Sequence, residues 1–120
     1  LKFHTVPAYN LNKFRSPGIP FHPKIDGKVG YIIELGNKRL YHAGDTDAVP
    51  ELLSLSHIDI AFIPVSGTYV MTAHEAAHFV NAIKPKLAIP MHYDAIVGTK
   101  TDAETFKSLA KVPVHILTKD

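Results

Sequence analysis

Two nearly continuous apolar runs constrain this chain most. Residues 58–65 read Ile-Asp-Ile-Ala-Phe-Ile-Pro-Val, and residues 86–91 read Lys-Leu-Ala-Ile-Pro-Met. Runs without alternation are the pattern of strands buried on both faces, as in parallel sheets covered by helices. A helix fits between them, over residues 72–83. Thr72 and Glu75 have capping-box spacing at its start, and Pro85 stops it. Ala73, Ala76, Val80 and Ile83 form its buried stripe, while His74, His78 and Asn81 recur on a solvated face. A second capping-box pair, Thr101 and Glu104, predicts a helix to about residue 111. Residues 112–117 then read as a closing strand.

The first half follows other rules. Residues 29–35 are β-branched and aromatic, Gly36-Asn37 is a tight turn, and residues 38–43 return as a second strand of a hairpin. Residues 2–6 alternate and end at Pro7, as an edge strand does. Residues 49–55 suggest a short helix with Pro50 in its first turn. Between residues 8 and 28 lies a long irregular stretch, of the kind that is usually functional. A hairpin followed by strand–helix–strand–helix–strand predicts an α/β architecture of packed layers in a single domain, residues 1–120.

Composition removes several function classes. Hydrophobic residues make up 46% and charged residues 20% of the 120 positions, as in a soluble globular domain. The net charge of +2 and its scattered basic residues give no nucleic-acid footprint. No apolar run reaches membrane-spanning length. The expected setting is cytoplasmic, with neither nucleic acid nor membrane as partner. Cysteine is absent, so disulfides and thiolate metal sites are excluded, whereas eight histidines favour metal chemistry. The chain opens at Leu1 directly in strand-like residues, as a piece of something longer would.

Three strand ends run into polar chemistry: Gly44-Asp45-Thr46-Asp47, Ser66-Gly67-Thr68-Tyr69 and His92-Tyr93. If neighbours, they converge on one rim, where open α/β sheets keep their sites. Asp45 there is either a hard metal ligand or general base, or one of Asp45 and Asp47 merely caps the following helix. A competing metal site is the literal H-E-x-x-H of His74-Glu75-Ala76-Ala77-His78, the zinc-protease string. Its local physics argues against it, because His74 falls in the first helical turn and Glu75 serves as the capping carboxylate.

Tyr41-His42-Ala43-Gly44-Asp45-Thr46-Asp47, Pro64-Val65-Ser66-Gly67-Thr68-Tyr69 and Ile89-Pro90-Met91-His92-Tyr93 together resemble the C-terminal half of the metallo-β-lactamase superfamily. The nearest branch is that of the ascorbate-6-phosphate-lactonase-like Zn-dependent hydrolases. The resemblance implies half of an αβ/βα sandwich and hydrolysis of an ester, lactone or phosphodiester by a metal-bound hydroxide. It makes Asp45 and His92 catalytic, with Asp45 bridging two zinc ions, His92 on one and His22 on the other. Ser66, Gly67, Thr68 and Tyr69 would line the side of a small-molecule substrate. The family's His-x-His-x-Asp-His cluster has no counterpart here, and His4, His42, His57 and His115 form no substitute. His42, two residues before the turn, is read as a support behind the ligands or as structural, not as a ligand. The chain alone is therefore expected to bind zinc weakly and to be impaired as an enzyme. It is expected to pair with a second copy or with the missing N-terminal half. The alternative class is a non-catalytic half-domain that serves assembly.

Overall fold

The sheet grows outward from one hairpin. A computed structural model of the chain describes residues 2–67, 69–93 and 99–117. Its strands are β1 (Lys2–Pro7), β2 (Phe14–Ser16), β3 (Ile19–Pro20), β4 (Val29–Leu35), β5 (Lys38–His42), β6 (Ile60–Pro64) and β7 (Leu87–Met91), with helices α1 (Ala73–Ile83) and α2 (Lys100–Leu109). Gly36, at φ 63°, supplies the positive φ that a two-residue turn needs to join β4 to β5. β1 pairs antiparallel with β4 on the outer side. β6 and then β7 add in parallel beyond β5, giving the order β1-β4-β5-β6-β7. The α/β fold expected from the sequence is the one observed. No helix among the described residues is long and apolar enough to cross a membrane.

Register decides which residues meet the helices. Ile32, Tyr41, Ala61 and Ala88 stand side by side across four strands, and all are buried in one core with Phe79, Val80 and Phe106. The Tyr41 and Phe79 rings meet edge to face at 6.2 Å. The next row, Phe3, Ile33, Leu40, Ile60 and Leu87, points to the opposite face. Phe3 is 59% exposed there, and Ile60, Phe62 and Leu87 are only partly buried. The two apolar runs are thus covered by α1 and α2 on one face and only in part on the other, where Ile89 is buried but Ile60, Phe62 and Leu87 are not.

Several boundaries differ from the sequence reading. The helix expected over 49–55 is a 3₁₀ turn, Pro50–Leu52, with no capping side chain at Val49. Neither Asp45 nor Asp47 caps it. α2 starts two residues early, where the Asp102 carboxylate accepts the Thr99 N–H at 2.7 Å, so Thr101 and Glu104 are not its cap. The closing strand shrinks to one parallel bridge, Ala88 to Val114. Pro113 has no N–H to extend that ladder. Residues 8–28 are an ordered strap holding the small β2–β3 pair and a 3₁₀ turn, Lys24–Asp26.

Gly30 in β4 lies where the sheet turns toward its rim. A Cβ on it would come within 2.6 Å of the carbonyl oxygens of both His42 and Ala43. Backbone cannot yield as a side-chain tip can. Gly30→Ala should therefore lower stability by about 2 kcal/mol or more, read as a fall in the urea midpoint at unchanged m-value.

Candidate metal centre

Parallel strands β5, β6 and β7 all end at the same edge of the sheet. After β5 the chain turns at Gly44, whose φ of 69° brings it against the Val29 carbonyl and swings Asp45 outward. After β7 it turns at His92, which holds φ 64° without being glycine. A non-glycine residue in that region costs about 1–3 kcal/mol, and such strain clusters at functional sites. The two side chains meet, His92 Nε2 lying 3.1 Å from Asp45 Oδ1. From the strap, His22 Nε2 lies 3.7 Å from the other oxygen, Oδ2. His22, Asp45 and His92 therefore come together, with Asp45 in the middle. Among the described residues no three His, Asp or Glu side chains already enclose a metal position. The donors form an open chain rather than a tripod.

Burial lowers the His22 pKa below its ordinary value, with Asp45 pulling the other way and Lys28 and His92 reinforcing the shift. The neutral ring this favours is the ligand form of histidine. His42 stands beside the turn: its Nδ1 accepts the Gly44 N–H at 3.3 Å, and its ring stacks on Phe62. Ser66 bridges Thr72 across a loop closed by the Gly67 N–H on the Met71 carbonyl. The Ser66 hydroxyl is buried with no partner among the described residues. Tyr69 packs edge to face on Phe21 at 4.6 Å, next to His22. Thr68 lies outside the described residues.

The H-E-x-x-H string does something else. His74 and His78 are exposed on α1, while Glu75 Oε1 accepts the Thr72 N–H and the Lys13 ammonium, both at 2.8 Å. The reciprocal Thr72–Glu75 capping box is complete. Asn81 is not simply solvated, because its amide bonds Leu109 and Lys111 at the end of α2.

The frame beneath the site is what sequence reasoning missed. Asp47 is buried and accepts from the Leu11 N–H at 2.7 Å and from Lys13 Nζ at 2.6 Å. Thr46 Oγ1 accepts the Tyr9 N–H at 3.1 Å. Asn10, also buried, bonds His22 and Tyr69. The length of the strap was the only signal, and it named no partners.

A family model described as a beta-lactamase superfamily domain matches residues 2–92, from β1 to the His92 turn. The chain belongs to that superfamily. It is similar to a UPF0173 metal-dependent hydrolase of Alkaliphilus metalliredigens, 41% identical over 91 residues covering 73% of this chain and 41% of that protein. A counterpart in Thermococcus onnurineus is 38% identical over 109 residues, covering 81% and 49%. The crystal structure of a candidate metal-dependent hydrolase of Parabacteroides distasonis superposes with TM-score 0.74 at 36% identity, over 95% of this chain and 49% of that one. The metallo-beta-lactamase fold protein YhfI of Bacillus subtilis, at 11% identity and TM-score 0.69, shares the fold. The chain spans about half or less of the length of these relatives. None of these names specifies the ascorbate-6-phosphate-lactonase branch.

In this superfamily member the Glu75 carboxyl makes the frame acid-sensitive. Burial pushes its pKa up, but Lys13, the Thr72 amide and Asn12 outweigh that and hold it at about 2, against an ordinary 4.5. A depressed carboxyl stabilises the fold fully above the unfolded value and loses that contribution as pH falls toward the folded one. The urea midpoint should therefore drop between pH 4.5 and 2, and the drop should shrink in Glu75→Gln. Lys13→Met, which strands the buried Asp47 carboxylate, should cost about 3 kcal/mol at pH 7.

Proposed function

We propose that this chain carries one side of the metal centre of a hydrolase, with zinc as the metal. The bond broken by the intact enzyme is an ester, lactone or phosphodiester of a small molecule. The observation that carries the reading is the Asp45 carboxylate, which turns one oxygen to His92 at 3.1 Å and the other to His22 at 3.7 Å. Tetrahedral zinc, with bonds of about 2.0–2.2 Å, holds neighbouring donors about 3.3 Å apart. Each oxygen–imidazole pair thus fits one edge of a coordination shell. Two edges sharing one carboxylate suit two ions, as does a donor set of imidazole and carboxylate.

Bound there, such ions supply Lewis acidity and acidify a water to near neutral pH. The protein's part is placement. Asp45 would hold both ions, with His92 on one and His22 on the other, so activity would depend on Asp45 and His92. Ser66, Gly67 and Tyr69, at the neighbouring strand end, line the approach of substrate. Two donors per ion are half of a tetrahedral shell, so this chain alone binds zinc weakly and is impaired as a catalyst. Zinc should still stabilise the fold, by an increment that grows to about 2.7 kcal/mol at a hundredfold excess over Kd, read as a rise in melting temperature. His92→Ala should abolish the rise and His78→Ala should keep it. The reverse pattern would move the metal site to the H-E-x-x-H helix.

The uncovered sheet face favours a second role, in assembly. Phe3, Tyr31 and Leu35 stand exposed on it beside the half-buried Ile33, Leu40, Ile60 and Leu87. Monomers rarely expose so continuous an apolar surface. In light scattering at micromolar concentration the isolated chain should run as a dimer, with a contact of about 1,000 Å² or more. A well-behaved monomer would refute this pairing.

A further inference from the structure

We propose that Asn10 is a positioning residue that locks His22 to the loop of Ser66, Gly67 and Tyr69, so that the metal position and the substrate side move as one unit. The inference rests on the reading of His22 as a ligand and adds the device that places it.

Asn10 is 6% exposed and uses both ends of its amide. Its Oδ1 accepts the His22 N–H at 2.7 Å, and its Nδ2 donates to the Tyr69 carbonyl at 2.8 Å. Its own backbone N–H donates to the His22 carbonyl at 2.8 Å. One residue thus holds the His22 backbone from both sides. The amide orientation is forced, because an N–H can only donate and a carbonyl can only accept; a flipped amide would lose both bonds. Asn10 is fixed in turn to the turn that bears Asp45. Tyr9 donates to Thr46 Oγ1 at 3.1 Å and Leu11 to Asp47 Oδ2 at 2.7 Å, while the Asp47 N–H donates to the Tyr9 carbonyl at 2.9 Å. A second contact, Phe21 on Tyr69, joins the strap to the loop beside the amide.

No isostere satisfies both partners. Aspartate keeps an acceptor for the His22 N–H but sets a second acceptor against the Tyr69 carbonyl. Alanine loses both bonds and leaves two partly buried backbone groups without their partner, which lowers stability. The two substitutions therefore separate the ligand-placing function from the loop-holding one. Loss of a group that orients a ligand typically costs 10–100-fold in metal affinity.

The test is zinc titration by calorimetry, with the zinc-free urea midpoint and amide NMR spectra measured alongside, on the 120-residue chain. Asn10→Ala should weaken zinc binding at least about tenfold. Asn10→Asp should lose stability and shift the resonance of the Val70 amide, which shares a peptide bond with the Tyr69 carbonyl, yet bind zinc at least as tightly as the unaltered chain. A merely structural asparagine would not split affinity from stability in this way. If Asn10→Ala does not fold, Asn10→Asp decides alone, and a loss of zinc affinity as large as that of His22→Ala overturns the proposal. Unchanged affinity in Asn10→Ala, with binding lost in His22→Ala and His92→Ala, overturns the role of Asn10 but leaves the site intact. Unchanged affinity in both histidine variants overturns the site and the proposal with it.

Discussion

The candidate site depends on one buried carboxylate that never touches it. Asp47 is 2% exposed, and burying an unpaired charge there would cost several kcal/mol. Its oxygens are satisfied by the Leu11 N–H and the Lys13 ammonium, residues far away in sequence. Lys13 is itself buried and turns its second ionic contact to Glu75, the capping carboxylate of α1. One cation thus ties the strap, the turn after β5 and the start of α1 to a common point. Desolvation makes the cluster costly to leave half-formed, so the three segments take up their places together or not at all.

This arrangement explains what could be read in advance. The β4–β5 hairpin and the Thr72–Glu75 cap were legible because each is decided within a few residues. Asp45 and His92 were legible as strand ends, where pattern and position coincide. The start of α2 was not, because Thr99-x-x-Asp102 and Thr101-x-x-Glu104 offer overlapping signals two residues apart. The start that is used leaves Ala103 and Phe106 buried. The closing strand failed on Pro113, whose missing donor outweighs an apolar pattern. The strap was beyond local reading altogether, since Asn10, Lys13 and Asp47 find partners 12 to 62 residues away.

The two faces of the sheet bear on the site differently. The helix face supplies rigidity: Tyr41, Ala61 and Ala88 are fully buried in adjoining strands, so the ends of β5, β6 and β7 are held in fixed register. The open face supplies no such constraint to Phe3, Tyr31 or Leu35. The rim is nonetheless set, because its geometry comes from the parallel ladder and from the strap. The described residues therefore hold His22, Asp45 and His92 together without help from the open face of the sheet.

The four residues of Gly44-Asp45-Thr46-Asp47 divide this labour. Gly44 takes the left-handed conformation that reverses the chain at the Val29 carbonyl. Beyond it, successive side chains separate: Asp45 stays 42% exposed at the rim, whereas Thr46 and Asp47 are buried beneath it. Two aspartates two positions apart thus meet opposite environments. Asp47 is buried and engaged by the Leu11 N–H and the Lys13 ammonium of its own chain, away from the rim. Asp45 instead meets two imidazoles at the rim, His92 on one oxygen and His22 on the other. The exposed acid is therefore the one left accessible at the rim, because the buried one is engaged in holding the strap.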